Sequence, residues 1–182
     1  MTTRIIFAGF GGQGVMLMGQ ILSLAGMLEG KHVTWMPSYG PEMRGGTANC
    51  TVVLSDEEVA SPVTEKAEVV VAMNIPSLLK FQGDVVTNGF LFINQSVIDR
   101  DSDRTDINVI KVPCNEIADE LGNLKVSNMV MLGAVVGGTD MISTDNLFKA
   151  LEKKLGSKES MIEVNKHAIM KGYELAKASL VK

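Results

Sequence analysis

The sequence predicts an α/β domain with a Rossmann-like, mostly parallel sheet, helices on both faces and a helical C-terminal third. Three observations lead to this prediction. Short apolar runs alternate with helical stretches over the first two thirds of the chain. The first run is apolar and ends in glycine, as buried parallel strands commonly do. Beyond Pro113 only helical stretches follow.

The first predicted elements are a strand, a helix and a second strand. Arg4–Ala8 is the short apolar run that precedes the glycines. Val15–Leu28 is apolar almost all round and ends near Gly30, a C-terminal stop signal. A helix that is apolar on every side must be covered on every side. His32–Met36 predicts the second strand, and the prolines and glycines of Pro37–Gly46 predict a loop.

The rest of the chain supplies four more strands and five helices. The predicted strands are Asn49–Leu54, Val69–Met73, Phe90–Asn94 and Ile107–Val112. The predicted helices are Ser77–Phe81, Asn115–Leu121, Asn128–Val136, Thr144–Leu155 and Met161–Leu180. The charged stretch Asp99–Asp106 predicts a solvated loop. With no internal repeat or flexible linker, residues 1–182 are predicted to form one domain.

Composition narrows the class of protein further. The net charge of −4 argues against nucleic-acid binding. The 24 uncharged residues from Ile5 to Leu28 are long enough to span a bilayer, but a glycine cluster divides them into a strand and a helix. No charged n-region with a small-residue cleavage site is found. We therefore expect no membrane segment and a cytoplasmic location.

The sequence offers few residues for autonomous redox or metal chemistry. Its two cysteines, Cys50 and Cys114, are too few for an iron–sulfur cluster, which needs about four thiolates. They are interpreted as small buried apolar residues. Neither histidine has an acid and a nucleophile nearby in sequence. No catalytic side chain and no metal ligand is therefore predicted.

The strongest local motif is a glycine pattern between the first strand and the first helix. Gly9, Gly11 and Gly14 have the spacing that allows a tight turn and lets main-chain N–H groups approach a phosphate. The acid expected at the end of the second strand is missing, since the first one beyond it is Glu42. Two interpretations stay open: binding of a phosphate- or pantetheine-bearing ligand, and close packing of strand and helix.

A second motif is the loop after the second predicted strand. Pro37–Gly46 contains Tyr39, Glu42 and Arg44 on a backbone stiffened by two prolines. Loops at the carboxyl ends of parallel strands meet at one edge of the sheet, so this loop is predicted to lie beside the glycine turn. A guanidinium there suits a carboxylate, a phosphate or an acidic partner surface. The alternative is a solvated turn with a surface ion pair.

Together the two loops carry a family resemblance. GFGGQG after the first strand and PSYGPEMRGGTANC after the second resemble the gamma subunits of 2-oxoacid:ferredoxin oxidoreductases. Shorter matches follow at Ala72–Asn74, Leu121–Asn123 and Asn128–Gly133, so the likeness covers roughly Ile5 to Tyr173. The second loop looks most like the 2-oxoglutarate branch, with the branched-chain 2-oxoacid branch close behind. Pyruvate-type subunits are a further alternative.

The resemblance implies a role as one subunit of a larger enzyme. Such a complex decarboxylates a 2-oxoacid on thiamine diphosphate with Mg²⁺, passes electrons through iron–sulfur clusters to ferredoxin and gives the acyl group to coenzyme A. It implies that these cofactors sit on thiamine-binding alpha and beta subunits and a ferredoxin-like delta subunit, with none held stably by this chain. The implied cleft residues are Gly9, Gly11, Gly12, Gln13, Gly14, Ser38, Tyr39, Gly40, Glu42, Arg44, Gly45 and Gly46.

Two alternatives to this role remain open at the level of sequence. One is a stand-alone Rossmann-like binder or oxidoreductase that uses NAD or a flavin, supported by Gly9, Gly11 and Gly14 alone. The other is a structural scaffold subunit in which Glu42 and Arg44 are replaceable. The high apolar content, 46% without glycine, favours a chain whose surface is covered by partners. We therefore expect the isolated chain to self-associate, for example as a homodimer.

Overall fold

A computed structural model describes residues 1–39, 47–61, 63 and 65–181, and every predicted strand and helix is present in it. The strands are β1 Thr2–Phe10, β2 His32–Tyr39, β3 Thr47–Ser55, β4 Ala67–Ala72, β5 Val85–Asn94 and β6 Asn108–Val112. The helices are α1 Val15–Leu28, α2 Ile75–Phe81, α3 Cys114–Glu120, α4 Ser127–Thr139, α5 Thr144–Leu155 and α6 Glu159–Leu180. Single 3₁₀ turns precede β5 and α4.

The six strands form one sheet in the order β2-β3-β1-β4-β5-β6. β1, β4, β5 and β6 run parallel, which confirms the predicted mostly parallel sheet. β3 is antiparallel to both of its neighbours, β1 and β2. β1 and β2 therefore point the same way, although β3 separates them. Sequence analysis did not predict this insertion.

Helices cover the two faces of the sheet unequally. One face packs against α1, α3, α4, α5 and α6 and forms the larger hydrophobic core, around Phe7, Val52 and Phe92. The opposite face packs chiefly against α2, around Leu78 and Phe81. The predicted arrangement with helices on both faces is confirmed, with one described helix on the second face.

The most deeply buried helix is α4. Every residue from Asn128 to Gly138 is buried, so α4 has no solvent-facing side. α6 lies against it at very close range: a Cβ at Gly133 would meet the carbonyl oxygen of Ile169, and one at Gly172 the carbonyl oxygen of Val130. These glycines let two helix backbones approach more closely than any larger residue would allow.

Within this chain α1 is not covered on every side, although its apolar composition predicts that such a helix is covered. Its residues Met16, Leu17, Gln20 and Leu24 are only partly buried, and Met27 is 62% exposed. We call these five residues the outer face of α1. α1 packs on the sheet with its other side and against α5, so the outer face is the least buried side of the helix. Burial within this chain therefore does not account for all of the apolar residues of α1.

The uncharged stretch from Ile5 to Leu28 is divided, as predicted, into β1, a turn and the 14-residue helix α1. Among the residues that the structure describes, no helix combines the length and the apolar character needed to cross a bilayer.

Candidate functional site

The candidate site lies at the edge of the sheet where β1 and β4 end. These two parallel strands are neighbours, but the chain leaves β1 toward β2 and leaves β4 toward β5. In open α/β sheets, a crevice forms at the carboxyl ends of strands where the connections diverge in this way, and ligands commonly bind there. The glycine turn that follows β1 stands at this point.

Two glycines give the turn its shape. Gly12 has φ 92° and Gly14 has φ 74°, both in the left-handed region that costs a residue with a Cβ about 1–2 kcal/mol. Nothing lies within 4 Å of the position that a Cβ on Gly12 would take, so this residue faces open space. At Gly14 a Cβ would collide with the side-chain amide of Asn128. Gly14 therefore serves the close packing that is one of the two open interpretations, whereas Gly12 borders open space.

Gln13 points inward and fills the crevice between β1 and β4. Its Oε1 accepts hydrogen bonds from the main-chain N–H of Phe10 at 2.7 Å and from Asn74 Nδ2 at 3.3 Å. Its Nε2 donates to the carbonyl oxygen of Met73 at 2.9 Å. The side-chain amide of this predicted site residue is thus used to join the turn to the end of β4.

A groove of about 510 Å³ opens on one side of the turn, and we call it the polar groove. It is lined by Gly12, Gln13, Gly14, Leu17, Leu124, Lys125, Ser127 and Asn128. Lys125 is exposed, and its ammonium group forms no ion pair with any described residue. The Asn128 amide donates to the carbonyl oxygen of Gly14 at 3.4 Å, which ties the start of α4 to the turn.

A second groove of about 430 Å³ opens on the other side of the turn, and we call it the apolar groove. It is lined by Phe10, Gly11, Gly12, Gly14, Val15, Met16, Leu17, Gln20 and Ala48. Gly12, Gly14 and Leu17 line both grooves, so the turn forms the wall between them. The outer face of α1 continues from this groove along the helix.

The start of α1 is suited to an anion. No side chain caps this end of the helix, and its first turn contains no acidic residue. The first N–H groups of a helix have no partner within the helix, and the helix dipole places partial positive charge there. With Lys125 across the polar groove, the site offers main-chain donors and one cation to a negatively charged group.

The second loop begins later than predicted, because Pro37, Ser38 and Tyr39 belong to the edge strand β2. β2 ends at Tyr39, whose backbone pairs with Ala48, and Ala48 in turn pairs with Gly9. Ser38 is exposed on this edge strand. Both loops therefore start at the same edge of the sheet, as predicted. Gly40, Glu42, Arg44, Gly45 and Gly46 lie outside the described residues.

Neither cysteine lines a groove. Cys50 is buried on β3, where its Sγ donates to the carbonyl oxygen of Val15 at 3.5 Å. Burial raises the pKa of the Cys50 thiol to about 12 and that of the Cys114 thiol still further. Neither thiol forms a reactive thiolate near neutral pH. Within the described part of the chain, no three His, Cys, Asp or Glu side chains converge on a common point.

The topology argues against the dinucleotide interpretation. In a dinucleotide site the acid at the end of the second strand holds the ribose beside the glycine turn. Here β3 lies between β1 and β2, which places β2 two strand spacings, about 9.5 Å, from β1. Gln13 also occupies the crevice at the strand ends.

Sequence analysis missed several residues that surround the turn. Lys125, Ser127 and Asn128 reach the turn from 110 or more positions away in the chain, and Asn74 reaches it from the end of β4. Asn128 begins the predicted helix Asn128–Val136; it is the second residue of α4, and its amide also contacts Gly14. The sequence does carry one signal for Asn74: an asparagine that directly follows the predicted apolar strand Val69–Met73 can cap the next helix.

Comparisons with known proteins agree with the fold. A family model described as pyruvate ferredoxin/flavodoxin oxidoreductase matches residues 4–175. A 2-oxoglutarate synthase subunit KorC from Methanocaldococcus jannaschii is 34% identical, with 97% of this chain and 95% of the relative covered. A ketoisovalerate oxidoreductase subunit VorA from Methanothermobacter marburgensis is 38% identical over 97% of this chain. This chain spans only 37% of the length of that relative.

Solved structures show the same architecture. A keto/oxoacid ferredoxin oxidoreductase gamma subunit from Geobacter sulfurreducens matches with a TM-score of 0.84 at 28% identity, over 97% of this chain and 99% of the other. A 2-oxoglutarate:ferredoxin oxidoreductase from Magnetococcus marinus, solved with 2-oxoglutarate, coenzyme A and succinyl-CoA bound, matches with a TM-score of 0.88 at 26% identity. That match covers 97% of this chain and 31% of the other. The chain therefore belongs to the pyruvate ferredoxin/flavodoxin oxidoreductase family, as a domain of the gamma-subunit type.

Proposed function

We propose that this chain is the gamma subunit of a 2-oxoacid:ferredoxin oxidoreductase and that its two grooves hold coenzyme A during acyl transfer. The observation that carries this proposal is the pair of grooves on either side of one glycine turn. One groove offers main-chain N–H groups and Lys125, and the other offers an apolar wall. Coenzyme A combines the same two chemistries, since its nucleotide end carries phosphates and its pantetheine arm is slender and largely uncharged.

Each groove has a defined part in this proposal. Phosphate groups would lie at the start of α1, where uncapped N–H groups and Lys125 supply donors and positive charge. The pantetheine arm would pass Gly12 and run along Met16 and Leu17. Gly12 permits the crossing because it presents no side chain. The chain itself contributes binding and orientation, with no residue acting on the reacting bond.

The remaining chemistry belongs, in this proposal, to partner subunits. Thiamine diphosphate with Mg²⁺ on alpha and beta subunits would supply the decarboxylation, and iron–sulfur clusters, including those of a ferredoxin-like delta subunit, would carry electrons to ferredoxin. The assembled enzyme would work in the cytoplasm. The idea that this chain works beside partner subunits is supported by VorA and by the Magnetococcus enzyme. In each of them, a domain like this one makes up about a third of a longer chain.

We propose 2-oxoglutarate as the first candidate substrate and a branched-chain 2-oxoacid as the second, with pyruvate third. The order rests on the similarity of the loop that follows β2 and on KorC, which aligns along almost its whole length. The VorA relative supports the branched-chain alternative, since its identity is slightly higher. Comparing kcat/KM for these three acids in the assembled complex decides the order.

The coenzyme A proposal is tested by removing the cation of the polar groove. In the complex co-expressed with its thiamine-binding subunits, Lys125→Gln is expected to raise the KM for coenzyme A about tenfold, the usual effect of losing one charge-assisted hydrogen bond. The KM for the 2-oxoacid should stay within twofold. The measurement is steady-state reduction of ferredoxin at varied coenzyme A.

A matched control separates a local contact from a general change in charge. Lys149 is an exposed lysine on α5 that lines neither groove. Lys149→Gln removes the same charge and should leave the KM for coenzyme A unchanged. If Lys125→Gln and Arg44→Ala both leave this KM at the wild-type value, the chain acts as a scaffold and the proposal is wrong.

A further inference from the structure

We propose that Asn74 is a positioning residue for the glycine turn, acting through Gln13. The inference rests on the proposed function only for its effect on coenzyme A; the effect on the turn itself follows from the hydrogen bonds. Asn74 is 3% exposed, lines neither groove and lies just beyond the end of β4.

The orientation of the Asn74 amide is fixed by a main-chain partner. Its Oδ1 accepts a hydrogen bond from the N–H of Ser77 at 2.8 Å, where it caps the start of α2. A main-chain N–H can only donate, so the oxygen of Asn74 must face Ser77. Its Nδ2 then faces Gln13 Oε1, at 3.3 Å.

The orientation of the Gln13 amide is fixed in the same way. Its Nε2 donates to the carbonyl oxygen of Met73 at 2.9 Å, and a carbonyl oxygen can only accept. Its Oε1 must therefore face the two donors, the N–H of Phe10 at 2.7 Å and Asn74 Nδ2. The start of α2, the end of β4 and the turn are thus joined through two side-chain amides whose direction cannot be reversed.

The Gln13 amide packs closely between the ends of β1 and β4. A Cβ on Gly9 would lie 2.7 Å from Gln13 Oε1 and 2.9 Å from Met73 Cβ, so the amide fills the space between β1 and β4. The bond from Phe10 holds the residue that immediately precedes Gly11 and Gly12. Losing the Asn74 donor would leave Gln13 free to swing away and would loosen the wall between the two grooves.

The variant Asn74→Ser isolates this role. Serine is a good helix cap, so its hydroxyl can still accept from Ser77, but it is too short to reach Gln13. It also adds no charge near an anionic ligand. The matched control is Asn94→Ser, at the end of β5, where the Asn94 side chain accepts from Ser96 and contacts no part of the turn.

The first readout is hydrogen exchange of the full-length chain, followed in overlapping peptides that begin before Gly9 and whose difference isolates the Phe10 amide. We expect Asn74→Ser to speed exchange of the Phe10 amide at least fivefold, while Asn94→Ser leaves it unchanged. Exchange in peptides from α2 should stay at the wild-type rate because the cap is kept. An unchanged Phe10 amide, or equal acceleration in α2, overturns the inference.

The second readout is the KM for coenzyme A in the assembled complex. We expect Asn74→Ser to raise this KM about fivefold and to leave kcat within twofold. The double variant Asn74→Ser with Gln13→Met should have the same KM as Gln13→Met alone, because both substitutions act through one hydrogen bond. Additive effects overturn the inference. If exchange of the Phe10 amide is faster but the KM for coenzyme A is unchanged, the positioning role of Asn74 is upheld. That result contradicts the separate proposal that coenzyme A binds at the turn.

Discussion

Gly12 and Gly14 have similar backbone angles but different surroundings. Both have positive φ, yet Gly12 faces open space and Gly14 lies against the Asn128 amide. The difference separates two uses of glycine within a single motif. Gly12 borders open space, whereas Gly14 is required by the packing of the start of α1 against Asn128 of α4.

This contrast predicts that replacing Gly12 and Gly14 by alanine lowers the free energy of unfolding by different amounts. Gly12→Ala should lower the free energy of unfolding by about 1–2 kcal/mol, the cost of the left-handed conformation alone. Gly14→Ala should cost about 2 kcal/mol more, since Asn128 must also move. Urea unfolding of the two variants measures both values. Equal losses would contradict the view that Gly12 is sterically free.

Glu29 joins the end of α1 to the start of α5. Its Oε1 accepts a hydrogen bond from the N–H of Ser143 at 2.7 Å, and hydrogen bonds from Ser143 hold the pKa of the Glu29 carboxyl below its usual range. A carboxylate with a lowered pKa stabilises the folded state fully above its unfolded pKa, which is about 4.3 for glutamate. That stabilisation is lost as the pH falls through the lower, folded value.

Glu29→Gln should therefore change the pH dependence of stability. At pH 7 the variant is expected to unfold at lower urea concentration than the wild type, because the neutral amide is a weaker acceptor. The difference should shrink as the pH falls below about 4, where the wild-type carboxyl also becomes neutral. Unfolding midpoints at pH 7, 4 and 3 test this. A difference that stays constant over this range would assign the effect to something other than the charge.

At the scale of elements, the pair α4 and α6 holds the helical third of the molecule together. Gly133 and Gly137 are one turn apart on α4 and lie against the backbone of α6, while Gly172 of α6 lies against α4. Any side chain at these positions would meet main-chain atoms, which cannot be repacked by a rotamer change.

Gly172→Ala is accordingly expected to destabilise the chain by about 3 kcal/mol, or to prevent its accumulation in soluble form. Gly83→Ala is the control, since Gly83 has nothing within 4 Å of its Cβ position and no positive φ. The control should lie within about 0.5 kcal/mol of the wild type, as surface substitutions usually do. Thermal unfolding of both variants provides the comparison, and a Gly172→Ala variant as stable as the control would refute the close contact.

The order of elements could be predicted from the sequence because each element has a local signature. The apolar run of β1, the glycines after it and the caps of α5 all act within a few residues. The position of β3 between β1 and β2 had no such signature. β3 pairs with β1 and β2, and this pairing depends on which strand edges remain free when the sheet assembles. It is therefore a property of the whole sheet.

At the scale of the whole molecule, the outer face of α1 is an uncharged surface that starts at the apolar groove. It comprises Met16, Leu17, Gln20 and Leu24, which are partly buried, and Met27, which is exposed. Apolar patches of this kind mark surfaces that bind a partner. In the proposed complex, a partner subunit would cover this face and close the outer side of the groove.

The isolated chain is therefore expected to self-associate through this face. Met27→Lys places a charge on its most exposed residue and should shift the chain toward monomer. Leu79→Lys is the control, since Leu79 is 48% exposed on α2, on the opposite side of the sheet. Native mass spectrometry of the three proteins at equal concentration measures the shift. A wild-type chain that is cleanly monomeric would contradict the expectation.

By itself the sequence determined the α/β class, the succession of strands and helices and the glycine turn, because these depend on periodicity and on residues close together in the chain. The resemblance of its two loops also identified the family. Only the tertiary structure decided that Gln13 turns inward, that Lys125 and Asn128 lie beside the turn and that α4, rather than α1, is the fully enclosed helix. These features depend on contacts between residues more than thirty positions apart, which local patterns do not encode.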